Sequence, residues 1–197
     1  MFRLVIVWLS IIWSNDTLFV DIDNSQLNWV GRKITGEHAG HIKLSEGWVV
    51  MHGNIPVDGL FSIDMASIKN TDIESPEWSL KLENHLKSDD FFSVDSFPAA
   101  TLYISPFADD KISEQNKHLN YASGSLTICG ITHDVSIPFQ LAQERNIFVA
   151  TGSIEIDRTL YNINYKSGKF FNNLGDKMIY DDFTIEFMLV TKEVIAR

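Results

Sequence analysis

The chain is organised around residues 85–98, which read His-Leu-Lys-Ser-Asp-Asp-Phe-Phe-Ser-Val-Asp-Ser-Phe-Pro. This segment is too polar for a core strand and too irregular for one amphipathic helix. Ahead of it, apolar residues partly at helical spacing follow Ser75 and Pro76, which predicts a short helix. Behind it, Pro98 restricts the preceding residue to extended conformations, so a strand can begin near Ala99. The pattern therefore indicates a short helix, an aromatic loop and a strand.

From Leu18 onward, most of the sequence alternates between apolar and polar residues, as half-buried strands do. We predict strands at 19–23, 27–32, 41–44, 48–57, 60–68, 99–105, 119–128, 135–141, 147–156 and 179–190. A hairpin turn is predicted at Ser45-Glu46-Gly47, a solvated hairpin tip at 107–117 and a long loop at 162–176. Many short strands and one short helix favour an all-β fold, an antiparallel barrel or sandwich.

Composition describes one ordinary folded domain, which we place at residues 15–197. The chain has 197 residues, of which 45% are hydrophobic and 21% charged, so it can bury a sizeable core. Its formal net charge of −10 argues against a nucleic-acid partner, whose phosphates require clustered Lys and Arg. The same charge disfavours simple electrostatic adhesion to anionic lipid.

The first residues resemble a secretory signal. Met1-Phe2-Arg3 precedes an uncharged apolar run from Leu4 to Trp13, and Ser14-Asn15-Asp16 then turns polar. The run is too short for a spanning helix, so we expect residues 1–14 to be a signal peptide and the protein to be periplasmic or secreted. Cys129 is the only cysteine. It excludes an intramolecular disulfide and is interpreted as a small, half-buried strand residue.

Histidines are the first candidates for metal binding or catalysis. His38, His41 and His52 could approach one another across predicted strands, but no Cys or carboxylate completes an obvious zinc shell, so no metal site is expected. His85 lies near the end of the predicted helix, where a general base would need a nucleophile and an orienting carboxylate. We favour a capping or loop-fixing role for His85 and Ser88.

A second candidate is Asp157-Arg158, which is followed by Tyr161 and Tyr165. Arg158 could bind an anionic head group with two parallel hydrogen bonds, and the tyrosines could frame the mouth of a cavity. The alternative is a salt bridge from Arg158 to a neighbouring carboxylate. The residues alone leave both interpretations open.

The strongest candidate is an apolar set that could line one continuous interior. Its members are Trp29, Phe61, Ile63, Met65, Leu82, Leu86, Phe91, Phe92, Phe97 and Leu102. A barrel of about eight strands either fills with such side chains or holds one small ligand. Burying a hydrocarbon chain there would yield about 0.8 kcal/mol per methylene. The residues alone do not decide between a filled and an open interior.

Five blocks in order along the chain resemble the YceI-like family, over about residues 19–191. They are Trp29-Val30-Gly31-Arg32-Lys33-Ile34-Thr35-Gly36-Glu37-His38-Ala39-Gly40, Gly59-Leu60-Phe61-Ser62-Ile63-Asp64-Met65-Ala66-Ser67-Ile68 with Asp72, His85-Leu86-Lys87-Ser88-Asp89-Asp90-Phe91-Phe92 with Phe97-Pro98, Gly124-Ser125-Leu126-Thr127-Ile128-Cys129-Gly130-Ile131-Thr132, and Ile156-Asp157-Arg158-Thr159. The chain departs from the family at Asn162, where relatives usually have Gly. Asn also tolerates positive φ, so we expect the turn to survive.

The resemblance implies a lipocalin-like barrel with an elongated apolar cavity, which holds a polyisoprenoid, an isoprenoid quinone or a fatty acyl chain. The aromatic loop, His85 included, would cover the chain. Lys33 or Arg158 would neutralise a phosphate head group. We expect a non-enzymatic carrier that sequesters its ligand, without catalytic residues, cofactor or metal.

Two other classes of function stay open at this stage. One is a small lipid-acting enzyme that uses His85 or Arg158. The other is an interaction module that serves a membrane electron-transfer protein, because family members can occur beside such proteins. A homodimer is a further expectation that the sequence does not test.

Overall fold

The structure is a computed structural model that describes residues 16–53, 55–105, 120–144 and 146–193. The predicted signal peptide and the predicted hairpin tip at 107–117 lie outside these residues. The strands are β1 (Asp16–Phe19), β2 (Gln26–Lys33), β3 (Gly36–His52), β4 (Ile55–Asn70), β5 (Ala99–Ile104), β6 (Asn120–Ile128), β7 (Ile131–Glu144), β8 (Ile147–Asp157) and β9 (Ile179–Val190). The helix α1 (Pro76–Lys87) lies between β4 and β5, and short 3-10 turns occupy Arg158–Tyr161 and Gly175–Lys177.

Eight strands close into an antiparallel barrel in the order β3-β2-β9-β8-β7-β6-β5-β4, and β4 pairs back with β3. The long β3 makes this closure possible, because its first half pairs with β2 and most of its length pairs with β4. The short β1 adds to the second half of β3, with Asp16 opposite Met51. The all-β barrel with one helix is therefore confirmed.

The helix α1 begins as the sequence predicts and ends at Lys87, so His85, which we expected in the aromatic loop, lies in its last turn. Ser75 is the N-cap and Pro76 is the first helical residue. Proline is tolerated there because an N–H at this position would have no hydrogen-bond partner within the helix. Glu83 is buried, and its carboxylate accepts hydrogen bonds from Lys69 Nζ at 2.8 Å and from the Asn70 N–H at 3.0 Å. This pair of bonds fixes the helix to the end of β4.

The predicted hairpin turn at Ser45-Glu46-Gly47 is wrong. These residues lie inside β3, where the pairing with β4 shifts register between Leu44 and Glu46. A bulge of this kind absorbs an extra residue without ending a strand. Gly47 is needed for close packing, since a Cβ there would lie 2.9 Å from Cγ2 of Val20. The observed connection between β3 and β4 falls after His52.

Two smaller expectations are also corrected. The first strand ends at Phe19 instead of Asp23, because the Asp21 carboxylate accepts a hydrogen bond from Asn24 Nδ2 at 2.8 Å and closes a turn. Cys129 is half-buried as expected, but it lies in the turn between β6 and β7. Cys129 and Gly130 both have positive φ, 48° and 73°, as a two-residue hairpin turn requires.

The connections at one end of the barrel form what we call the helix end. It comprises the β2–β3 turn, α1, the aromatic loop 88–98, the Cys129–Gly130 turn and residues 158–178. The opposite end carries the β3–β4 and β7–β8 connections. Among the residues that the structure describes, most of the irregular structure therefore lies at the helix end.

Candidate ligand-binding site

A cavity of about 290 Å³ lies inside the barrel. All eight barrel strands contribute to its wall, which is almost wholly apolar. The wall runs from Met51 and Pro56, near the β3–β4 connection, to Phe91 and Phe92 in the aromatic loop. The cavity therefore extends along the barrel between its two ends, and its volume lies close to the lower bound for ligand pockets, about 300 Å³.

Strand alternation places these side chains inside. Phe61, Ile63 and Met65 are two residues apart on β4, and all three line the cavity, as side chains on one face of a strand must. On β9, Ile185 and Phe187 also line the cavity yet are only partly buried. Inward side chains that are not fully covered show that neighbouring side chains leave the interior unfilled.

Backbone hydrogen bonds fix the aromatic loop over this interior. The N–H of Phe92 donates to the Leu86 carbonyl at 3.1 Å, and that of Val94 donates to the Lys87 carbonyl at 2.9 Å. The Phe92 ring meets Phe183 of β9 edge-on, with 6.1 Å between centroids. The loop is thus anchored to the helix on one side and to the cavity wall on the other.

Cys129, in the turn between β6 and β7, contacts the same loop. Its Sγ lies 3.4 Å from the Phe92 carbonyl oxygen and 3.8 Å from that of Phe91. Burial raises the pKa of the thiol, so it stays protonated and can act as a weak donor. This geometry assigns Cys129 a packing role.

His85 fixes the loop. Its ring makes edge contacts with Phe91 and Tyr165, at centroid distances of 5.0 and 4.7 Å. Its carbonyl accepts a hydrogen bond from Ser88 Oγ at 2.8 Å, and its Nδ1 lies 3.7 Å from Asp90. The expected loop-fixing role of His85 and Ser88 is confirmed by these contacts.

The side chain of Arg158 is buried at the helix end and is held by several polar contacts. It is 4% exposed, and its guanidinium donates to the carbonyls of Ile163 at 2.8 Å, Tyr180 at 3.1 Å and Ile179 at 3.2 Å. Nη2 also lies 3.5 Å from Asp181 Oδ1. Burial lowers the pKa of Arg158, although Asp181 opposes this shift. Of the two interpretations of Arg158, the structure shows the pairing with a carboxylate.

Asp157 begins the turn that places Arg158. Its carboxylate accepts hydrogen bonds from the Thr159 N–H at 2.9 Å, from Thr159 Oγ1 at 2.6 Å and from Lys169 Nζ at 2.8 Å. Burial raises the pKa of Asp157, but these bonds outweigh it and hold the pKa below its usual range. Asn162 ends the turn with φ 62°, which confirms the expected tolerance of positive φ.

The structure brings part of the predicted set together on the cavity wall. The wall residues among them are Trp29, Phe61, Ile63, Met65, Leu86, Phe91, Phe92, Leu102 and Arg158. The others lie elsewhere at the helix end. Lys33 is exposed on the β2–β3 tip, Leu82 is half-buried on α1, and Phe97 is partly exposed beside Gly130. Tyr161 is buried against His133, and the rings of His85 and Tyr165 contact each other edge-on. A ligand-binding role for each stays a prediction.

Sequence reasoning missed one side of the wall. Ile154, Ile156, Phe183, Ile185 and Phe187 of β8 and β9 all line the cavity. Their alternation was a sufficient signal, because it identifies one inward face on each strand. Nothing in the sequence pointed to Asp181 and Lys169, the side chains that complete the network around Arg158 and Asp157.

The described residues contain no cluster of three or more His, Cys, Asp or Glu side chains suited to a metal ion. His38 instead pairs with Asp72, at 2.9 Å between Nδ1 and Oδ2. Within the same part of the chain, no helix has the length and apolarity to span a bilayer.

The profile of the YceI-like domain matches residues 19–191. A search of curated proteins returned no significant match. Among solved structures, BcnA of Burkholderia cenocepacia superposes with a TM-score of 0.67 at 22% identity, over 88% of this chain and 99% of BcnA.

Two further structures share the fold. A polyisoprenoid binding domain from Saccharophagus degradans has a TM-score of 0.62 at 14% identity, and the alignment covers 92% of this chain and all of that domain, 100%. The YCEI protein of Campylobacter jejuni has a TM-score of 0.52 at 16% identity, over 71% of this chain and 74% of that protein. At these identities the likeness concerns the fold.

Proposed function

The chain belongs to the YceI-like family, and on that premise we propose that it binds a long-chain apolar ligand inside the barrel. The ligand is of the polyisoprenoid, isoprenoid quinone or fatty acyl type. One observation carries the proposal: the barrel encloses a cavity of about 290 Å³ with an almost wholly apolar wall. A similar fold described as a polyisoprenoid binding domain supports it.

The mechanism we propose is sequestration without chemical change. Each methylene that enters the barrel contributes about 0.8 kcal/mol, so a long chain needs no charged contact for tight binding. The aromatic loop covers one end of the cavity, and its anchored backbone keeps water from the hydrocarbon. Export to the periplasm or beyond, and delivery to a membrane electron-transfer partner, belong to the same proposal.

An anionic head group would meet Lys33 before Arg158. The N–H groups of Arg158 already point at three carbonyls and Asp181. Lys33 is exposed on the neighbouring β2–β3 tip. Burial in the barrel stabilises the hydrocarbon chain of the ligand. Lys33 adds attraction only when the head group carries negative charge.

A paired binding assay tests this arrangement. We expect Lys33→Ala to weaken binding of a prenyl phosphate by a few-fold, as loss of one exposed charge contact does, and to leave a neutral prenol of equal length unchanged. Tryptophan fluorescence titration measures both affinities. Lys43→Ala, on an exposed position of β3, is the matched control. Equal losses for both ligands would refute a head-group role for Lys33.

The enzyme alternative has a direct test as well. His85 would have to act on a bound lipid, yet its ring packs against both Phe91 and Tyr165. We expect a bound lipid to be recovered chemically unchanged after prolonged incubation. Turnover that His85→Ala abolishes would establish an enzyme instead.

A further inference from the structure

Three large apolar side chains are exposed at the helix end. Phe170 is 55% exposed, Phe171 50% and Ile34 48%. Several large exposed apolar side chains at one end of a fold mark an interaction surface more often than a single one does. We call these three side chains, together with Lys33 and Lys177 of the same two chain segments, the Phe170–Phe171 surface.

Hydrogen bonds hold the surface together as one unit. The Ile34 N–H donates to the Met178 carbonyl at 3.3 Å, which joins the β2–β3 tip to the loop 162–178. The N–H groups of Phe170 and Phe171 both donate to the Ser167 carbonyl, at 3.2 and 3.0 Å, and Ser167 is fully buried. The rings are therefore displayed on a fixed turn, and little order has to be gained on docking.

The two chain segments that form this surface carry a net positive charge, opposite in sign to that of the whole protein. Residues 32–37 and 166–178 carry five Lys or Arg and two Asp or Glu, although the chain as a whole has a formal net charge of −10. Lys169 is engaged by Asp157 and Asp181, whereas Lys33 and Lys177 are exposed. Exposed rings flanked by exposed lysines are typical of surfaces that bind anionic membranes.

The surface adjoins an irregular part of the cavity wall. Next to it, the pairing of β2 with β9 shifts between Gly31 and Lys33. Ile179 and Tyr180, which directly follow the loop, line the cavity. A bilayer on this surface would therefore lie beside the cavity.

We propose that the Phe170–Phe171 surface docks on a lipid bilayer that contains anionic lipids. The rings enter the boundary between head groups and acyl chains, and Lys33 and Lys177 meet the lipid phosphates. Docking itself needs no ligand in the cavity. Its purpose, exchange of a water-insoluble ligand with the membrane, rests on the proposed function.

Co-sedimentation of the full chain with vesicles tests the proposal. We expect binding to phosphatidylcholine vesicles that contain phosphatidylglycerol, and a loss of at least about tenfold in affinity for Phe170→Ser/Phe171→Ser, since two rings leave the bilayer. Phe19→Ser is the matched control, because Phe19 is 58% exposed but lies on β1. It should bind as the unsubstituted protein does.

Charge substitutions separate the two contributions. We expect Lys33→Glu/Lys177→Glu to weaken binding to the anionic vesicles, with the difference fading at high salt, and to leave binding to pure phosphatidylcholine unchanged. Lys43→Glu should change neither. Circular dichroism verifies that each variant is folded.

The outcomes that contradict docking are distinct. Equal vesicle binding by Phe170→Ser/Phe171→Ser and the unsubstituted chain would overturn it. So would a dimer in solution that this double variant abolishes, which would assign the surface to a second copy of the chain. Vesicle binding by a protein that retains no lipid in solution would leave docking intact and refute the proposed carrier function.

Discussion

The cavity wall and the network around Arg158 differ in nearly every physical respect, although Arg158 itself lines the cavity and lies beside Phe91. The wall is almost wholly apolar and encloses about 290 Å³ of space. The network directs a buried guanidinium at three carbonyls and one carboxylate, and the centre of that group lies 6.0 Å from the Phe91 ring. The first region is loosely filled and the second is tightly bonded.

The difference shows how the barrel can keep space open. Unfilled volume costs contacts that a packed core would make. The polar network, together with the bonds of the aromatic loop, fixes the chain segments that would otherwise collapse into the cavity. Stability at the helix end therefore comes from hydrogen bonds, whereas capacity for a ligand comes from the apolar wall.

The largest effect is expected from Arg158→Ala. It leaves three carbonyls without their donor and leaves Asp181 with only Lys169, at 3.6 Å, and loss of one member of a buried ion pair typically costs about 3–5 kcal/mol. Urea unfolding measures the change in the free energy of unfolding. The control is Arg32→Ala, whose side chain is 44% exposed and pairs with Glu37 at 3.3 Å.

The control should cost less than about 1 kcal/mol, as exposed pairs do. A loss for Arg158→Ala no larger than that of the control would contradict the anchoring role. The network around Arg158 would then not be what keeps the cavity open.

A smaller effect is expected from filling the wall with Ala150→Phe. Ala150 lies on β8 between Leu141 and Leu189, and all three line the cavity. We expect affinity for a prenol to fall by at least about tenfold, which corresponds to 1.4 kcal/mol. Ala142→Phe, at an exposed position on β7, should bind normally. Unchanged affinity for Ala150→Phe would show that the ligand lies outside the barrel.

The smallest effect concerns pH and Glu83. Burial raises the pKa of this carboxyl, but the bonds from Lys69 and the Asn70 N–H lower it more, so its native pKa lies below the usual value. The resulting stabilisation is complete above the unfolded pKa, near 4.3, and is lost as the pH falls through the native value.

Urea unfolding from neutral pH to about pH 3 checks this. The unsubstituted protein should lose more stability on acidification than Glu83→Gln, so their difference should shrink as the pH falls. Glu77→Gln, exposed on the same helix, should run parallel to the unsubstituted chain. A constant difference between the unsubstituted chain and Glu83→Gln would show that Glu83 adds no proton-linked stability.

Much of the fold could be predicted because it depends on local patterns. Alternation identified the inward face of β4 at Phe61, Ile63 and Met65, and Ser75 with Pro76 marked the start of α1. The split of β3 at Gly47 was wrong, because a glycine needed for close packing against Val20 carries the same local signal as a turn. A bulge depends on how a strand pairs with its partner strand, and the sequence of one strand alone does not contain that information.

The candidate site was predictable on one side only. The aromatic loop and β4 carry conspicuous blocks, whereas β8 and β9 contribute the same kind of wall through ordinary alternation. The role of Arg158 depended on Asp181 and on three carbonyls distant in sequence. Such partners become visible only when the chain is folded, so the two interpretations of Arg158 could not be separated earlier.

Native mass spectrometry of the protein purified from its own host tests the central claim most directly. We expect a co-purifying species whose mass, after organic extraction, identifies a prenyl, quinone or acyl chain, and we expect Ala150→Phe to lack it. An empty protein that shows no mass shift on addition of prenyl phosphates, quinones or fatty acids would contradict ligand binding in the barrel.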